Sequence, residues 1–143
     1  MTVKAILSLK GGGVATIEPT ASLATAAEML AERRIGALVV MDSANRLAGI
    51  LSERDIVRAL AERGAAALDE RLDQAMTRSI VTCTEAMTVS EIMKRMTAGK
   101  FRHVPVVEFG RLVGIVSIGD VVKYRLATMQ HETQSMREYV LAA

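Results

Sequence analysis

The chain has 143 residues, half of them apolar, with 18 basic and 16 acidic side chains and a formal net charge of +2. So balanced a charge argues against nucleic acid or a membrane surface as partner, and an aromatic share of 3 % without Trp argues against base stacking. The single cysteine, Cys83, excludes an intramolecular disulfide and fits a reducing compartment, and no apolar run approaches the roughly 18 residues of a membrane span. A soluble, cytoplasmic protein is expected, with an aliphatic core of Ala, Val, Leu, Ile and nine Met.

In chain order, MTVKAILSLKGGG (1–13) has a short apolar patch but no long hydrophobic region or cleavage pattern. Its Lys10-Gly11-Gly12-Gly13 lacks the G-K-[ST] ending of a phosphate loop and reads as a flexible joint or a backbone close to the cleft. VATI (14–17) reads as a short strand. Ser22 can cap a helix over LATAAEMLAERR, and the runs ALVVM and LAGIL read as adjacent strands before a helix from about Glu53. GAAALDERLDQAMTRS looks like a helical linker. IVTC (80–83) then opens the same series again. Thr88 and Glu91 form a capping-box pattern before VSEIMKRMTAG, the strands VPVV and LVGIV follow, and a helix starts near Ile118. Along it Val122, Leu126, Met129, Thr133, Met136 and Val140 recur at heptad-like spacing. This stripe fits packing on the chain's own Ile6, Leu7 and Leu9, or a dimer seam.

The series is an internal duplication. RLAGILSERDIV (46–57) lies over RLVGIVSIGDVV (111–122) at an offset of 65, with seven of twelve positions identical and three more exchanging one aliphatic residue for another. Upstream the offset is 66, pairing Thr16 with Thr82, Leu23 with Val89, Leu30 with Met96 and Ile35 with Phe101. The extra residue of the first copy falls in a turn, within MDSANR against VEFGR, where a duplicated unit tolerates one. The expected fold is α/β (α+β): two β-α-β-β-α repeats, each a small sheet covered by helices, packed face to face. The expected division is an N-terminal segment (1–13), repeat one (14–63), a helical linker (64–78), repeat two (79–127) and a C-terminal helix extension (128–143).

Both copies carry glycine–apolar–apolar–Ser–x–x–Asp at a strand-to-helix junction, as GILSERD (49–55) and GIVSIGD (114–120). Ser52 with Asp55, and Ser117 with Asp120, match a structural capping box. The same geometry suits a ligand. A helix start exposes N–H groups and the positive dipole end that phosphate favours, a serine hydroxyl can donate to a phosphate or sugar oxygen, and an ionised Asp can accept both hydrogen bonds of a ribose diol. Two histidines and one cysteine make no metal-ligand spacing, so no metal is expected.

With FRHVPVV (101–107) ahead of the second string and RIGALVVMD (34–42) ahead of the first, the chain resembles the tandem cystathionine-β-synthase (CBS) domain pair, or Bateman module, over roughly residues 14–127. The resemblance implies that the repeats pack as a pseudo-twofold pair, with clefts between them that bind an adenosine compound: AMP, ADP, ATP, NAD(H) or S-adenosylmethionine. It implies that Asp55 and Asp120 hold ribose hydroxyls, that Ser52 and Ser117 contact ribose or phosphate, and that Arg102 and His103, ahead of the strand containing Pro105, face phosphate. Adenine would lie near Ala15 and Val81. Copy one has Gly36-Ala37 where copy two has Arg102-His103, and Val39 where copy two has Pro105, with Arg34 and Arg54 nearby. The two clefts are therefore expected to be unequal, and part of the affinity to fall as pH rises past about 6.5 if His103 binds as a cation. A non-catalytic sensor or regulatory homodimer is implied, with an unidentified regulated protein as possible partner. The alternative is a dimeric scaffold with vestigial clefts. A nucleotide-hydrolysing enzyme is disfavoured, because the repeats use nearly all the residues and no metal-holding carboxylate cluster is apparent.

Overall fold

The computed structural model describes residues 2–11 and 13–142; Gly12 of the glycine joint lies outside the described residues. The elements run α1 (Val3–Lys10), β1 (Thr16–Ile17), α2 (Leu23–Arg33), β2 (Ala37–Met41), β3 (Leu47–Ser52), α3 (Glu53–Arg63), α4 (Val89–Gly99), β4 (His103–Glu108), β5 (Arg111–Ser117) and α5 (Ile118–Ala142). The helices begin where the sequence offers hydroxyl caps. Ser22 Oγ accepts from Thr25 N at 3.1 Å and Thr88 Oγ1 from Glu91 N at 3.1 Å.

In repeat one, β1 pairs parallel with β2, and β2 antiparallel with β3. In repeat two, β4 pairs antiparallel with β5. The expected strand at IVTC does not form. Only Cys83 makes a parallel bridge, donating its N–H to Pro105 O at 3.0 Å and accepting from Val107 N at 2.9 Å. Pro105, which has no N–H, thus bonds on this side through its carbonyl alone. The two ladders share a register: Ala37 faces Ser52 and His103 faces Ser117, with a bulge between Val40 and Met41 and another between Val106 and Val107. The duplication therefore extends to backbone irregularities. The copies differ at the hairpin tips. In repeat one Asp42 Oδ1 accepts from Ala44 N and Arg46 N, each at 2.9 Å. Repeat two turns on Phe109 and Gly110 alone, both at positive φ (50° and 75°), as a two-residue turn of the primed type requires.

Each repeat has its own aliphatic core. Leu23, Leu38, Leu51 and Leu72 are fully buried in the first, and Val3, Ile92, Val104 and Val116 in the second. The linker is not a regular helix. It forms short 3-10 turns at Gly64–Asp69 and Leu72–Gln74, and Ala67, Leu72 and Met76 enter the first core. The linker is thus structural filling for repeat one, and α1 does the same for repeat two through Val3 and Ile6. The two conserved-register glycines admit these segments. A Cβ on Gly49 would stand 2.8 Å from Met76 Sδ and 2.8 Å from Thr77 O, and one on Gly114 would stand 2.7 Å from the end of Leu7. The C-terminal stripe itself is not covered, although α5 packs through neighbouring positions. Val121 is buried and Tyr124 packs on the second core, but Val122, Leu126, Met129, Met136 and Val140 are at least half exposed, as is Leu9.

Candidate nucleotide clefts

Two cavities lie between the repeats, each built from both. The first, about 340 Å³, brings Ser52, Arg54, Asp55 and Arg58 from repeat one against Ile80, Val81 and the turn from Gly99 to His103 of repeat two. The second, about 440 Å³, reverses the roles: Ser117 and Asp120 of repeat two face Val14, Ala15 and the turn from Arg33 to Ala37 of repeat one, with Lys10 at its edge. Gly36 and His103 line both. The His103 ring packs so closely on Gly36 that a Cβ there would meet it at 3.3 Å, so these two residues form the wall between the clefts. Gly36, the counterpart of Arg102, is thus the bare position that makes room for His103.

Asp55 is the one charged side chain buried among the described residues, at 4 % exposure. Burial of a carboxylate is tolerable only with donors around it. Its Oδ2 accepts from Ser52 N at 2.9 Å and from Ser52 Oγ at 3.2 Å; its Oδ1 accepts from Thr77 Oγ1 at 3.3 Å and Arg58 Nη1 at 3.4 Å. In the second cleft Ser117 and Asp120 form a reciprocal cap. Ser117 N donates to Asp120 Oδ2 at 2.9 Å and Asp120 N to Ser117 Oγ at 3.0 Å. Burial acts to raise the Asp120 pKa, but the hydrogen bond from Lys10, the Ser117 N–H and the Lys10 charge outweigh it and hold the carboxyl below its ordinary value. The capping role and a place on the cavity wall are thus combined in the same side chains.

The helix starts are less open than the motif suggests. Glu53 N donates to Gly36 O at 3.0 Å, and Ile118 N to Arg102 O at 2.8 Å, so the first N–H of α3 and of α5 is already used. Cationic side chains are therefore better placed than backbone to meet a phosphate. Arg34 and Lys100, equivalent at the offset of 66, both follow a helix end in left-handed backbone at φ 54° and 57°. A long side chain there costs about 1–2 kcal/mol relative to an ordinary conformation, and glycine is the usual occupant. Each lines a cleft. Both clefts therefore carry basic groups. The first has Arg54, Arg58, Lys100 and Arg102, and the second Lys10, Arg33 and Arg34.

Of the residues expected from the sequence, Ser52, Arg54, Asp55, Val81, Arg102 and His103 come together around the first cleft. Ala15, Gly36, Ala37, His103, Ser117 and Asp120 come together around the second. Pro105 is buried in β4 and lines neither cavity. Arg102 shares a cleft with Asp55, not with the Asp120 of its own repeat. Thr77, Lys100, Arg33, Arg58 and Lys10 were not anticipated. Lys10 lies in the segment expected to be a flexible joint or a backbone close to the cleft, and it enters the second cleft through its side chain. Cys83 is buried and its thiol is pushed up to about 11 by burial, against the charge of Arg95, so it stays a protonated core side chain. Among the described residues no group of three or more His, Cys, Asp or Glu is positioned to hold a metal, and no helix is long and apolar enough to cross a membrane.

Burial first, then the neighbouring Lys10 charge, push the His103 pKa below 6.5, and Asp120 and Glu53 only partly offset them. At neutral pH the ring is therefore mainly uncharged, and it serves the clefts as a wall beside Gly36. The unfolded chain then binds more protons than the folded one just below pH 6.5, so stability contributed by neutral His103 is lost as pH falls through that region. Wild-type protein should therefore lose more thermal stability than His103→Gln between pH 7.5 and 5.5. Parallel melting curves for the two would refute the assignment.

The sequence matches the CBS domain family model twice, at residues 12–62 and 72–127, and the chain belongs to the CBS-domain family. Its fold is that of a CBS domain pair. The CBS-domain-containing protein ATU1752 from Agrobacterium tumefaciens is 48 % identical, with a TM-score of 0.85 over 87 % of this chain and 92 % of that one. The CBS domain pair of protein MJ0100, solved with 5′-methylthioadenosine and S-adenosyl-L-methionine, is 29 % identical with a TM-score of 0.80 over 90 % and 98 % of the two chains. CBSX2, solved with AMP, is 25 % identical with a TM-score of 0.75 over 90 % and 98 %. Among curated relatives, the chain spans 66 % of an uncharacterized 17.7 kDa protein of Acidianus ambivalens (38 % identical over 111 residues) and 58 % of the mitochondrial CBSX3 of Arabidopsis thaliana.

Proposed function

We propose that the chain is a non-catalytic, cytoplasmic regulatory module that binds a phosphate-bearing adenosine ligand (AMP, ADP, ATP or NAD(H)) in its two inter-repeat clefts. The observation that carries this reading is the crosswise construction: the Ser and Asp at the start of a helix in one repeat face the basic turn of the other across each cavity. The carboxylate suits the ribose diol and the basic turn suits phosphate. That two solved relatives hold adenosine compounds supports the same reading. The positive lining favours phosphates over a cationic sulfonium such as S-adenosylmethionine. Cavities of about 340 and 440 Å³ are of the size small ligands fill.

Ligands that bind only the folded state stabilise it, by about 2.7 kcal/mol at a hundredfold excess over Kd. AMP, ADP, ATP or NAD(H) should therefore raise the melting temperature, and guanine or pyrimidine nucleotides should do so less. No shift with any adenosine compound at millimolar concentration would favour the scaffold reading instead.

The exposed stripe of α5 supports assembly as a homodimer, since a continuous apolar face from Val122 to Val140 is costly to leave in water. Light scattering should give twice the chain mass at tens of micromolar, and a monomer mass would contradict it. Binding to a regulated protein would then draw on whichever arrangement of the repeats, or of the dimer, the ligand favours.

A further inference from the structure

The two clefts treat their carboxylates differently, and the difference lies in the segment that precedes each repeat. Before repeat two, Thr77 N donates to Ile50 O at 2.8 Å and Thr77 Oγ1 to Asp55 Oδ1 at 3.3 Å. Ile115 and Asp120 are the counterparts of Ile50 and Asp55 at the offset of 65. On that side a single group does both jobs: Lys10 Nζ donates to Ile115 O at 2.8 Å and to Asp120 Oδ2 at 2.7 Å. From the preceding segment Asp55 receives a neutral hydroxyl, its cationic partner being Arg58 of its own helix at 3.4 Å, whereas Asp120 receives the Lys10 ammonium at 2.7 Å. Lys10 ends α1, which Leu7 holds against Gly114, and Gly11 and Gly13 behind it stand at φ 84° and 96° in open space. The flexible four-carbon stem starts from a fixed helix and ends on the carboxylate that would hold a ribose.

We propose that Lys10 is the specificity-determining residue of the Asp120 cleft, an internal counter-ion that selects phosphate-bearing adenosine ligands over the uncharged nucleoside. The proposal rests on the nucleotide reading above. A ribose diol approaching Asp120 must displace or share the ammonium. A nucleotide brings a phosphate to which Lys10 can turn, beside Arg33 and Arg34, so the lost ion pair is replaced by another. Adenosine offers no such partner. Through its hydrogen bond and its charge Lys10 helps to hold the Asp120 carboxyl below its ordinary value.

The test is titration of isotope-labelled wild type and Lys10→Met with AMP and with adenosine, following the Ser117 and Asp120 amide signals by NMR. Methionine keeps the stem and removes the charge. A partly exposed ion pair of this kind corresponds to about a two- to fivefold effect. Lys10→Met should therefore bind adenosine more tightly by about that factor and AMP no more tightly, so that the preference for AMP shrinks. The Asp120 carboxyl carbon, titrated without ligand, should shift to higher pH in the variant. If AMP binds and the AMP-to-adenosine preference is unchanged in Lys10→Met, this inference is overturned while the nucleotide reading stands. If the Asp120 titration does not move, the ion pair itself is refuted. If no adenosine compound perturbs these signals in either protein, nucleotide binding at this cleft fails, and the selectivity with it.

Discussion

Asp55→Asn should weaken AMP and adenosine alike at the first cleft, by about ten- to a hundredfold, because a charge-assisted hydrogen bond contributes about 1.5–3 kcal/mol. Arg102→Ala should weaken AMP about tenfold and leave adenosine nearly untouched. The smaller figure reflects two features of the site: Arg102 is exposed, and Lys100, Arg54 and Arg58 remain in the cleft to meet a phosphate. Asparagine keeps the shape of Asp55 but loses an acceptor beside Ser52 N, so a melting curve must first show that the variant folds. Calorimetry on both variants with both ligands then separates sugar from phosphate. An Arg102→Ala protein that loses adenosine as strongly as AMP would make Arg102 a structural residue.

The second large effect concerns the glycines of the repeated string, which are equivalent in sequence and unequal in surroundings. Gly49→Ala places a methyl group against a backbone carbonyl, Thr77 O, that cannot rotate away, and against Met76 in the first core. Overpacking of this kind costs about 1–3 kcal/mol. It should also shift Thr77 off Asp55 and weaken ligand binding in that cleft. Gly114→Ala meets the end of Leu7 first, a half-buried side chain that can change rotamer, and should cost less than Gly49→Ala, about 0.5–1.5 kcal/mol. Urea midpoints measured side by side decide it. Equal losses, or a larger loss at Gly114, would show that α1 holds its place as rigidly as the linker.

The strand and helix order of the repeats was legible because both copies carry it: a period-3.6 pattern with a hydroxyl cap, then two aliphatic runs, then a second cap. The starts of α3 and α5 fall at Glu53 and Ile118, where the caps put them. The strand at IVTC failed because aliphatic composition says nothing of whether a neighbour offers more than one residue's hydrogen bonds. What the helical reading of the linker did not reveal was the kind of helix and its burial: short 3-10 turns let Ala67, Leu72 and Met76 reach a core laid down by distant strands. At the site, repetition made Ser52, Asp55, Ser117 and Asp120 visible. It also held a signal left unused, the basic residues Arg34 and Lys100 at one offset. Lys10 and Thr77 were not legible, since they lie outside the repeated string and earn a place only when α1 and the linker fold back across β5 and β3. The charge state of His103 was hidden too, because it depends on Gly36 leaving room for burial.

The crosswise clefts have a mechanical meaning. Neither Asp faces the basic turn of its own repeat, so each half of the chain contains one jaw of two different vices and no complete one. A molecule held between Asp55 and Arg102, or between Asp120 and Arg34, clamps one lobe to the other and leaves both aliphatic interiors as they were. Occupancy would therefore be felt as resistance of the lobes to parting. Amides along the seam between the halves should gain protection from hydrogen exchange, while those deep in β2 or β4 change little. The seam, not either lobe, is the part of the molecule on which a small ligand can act.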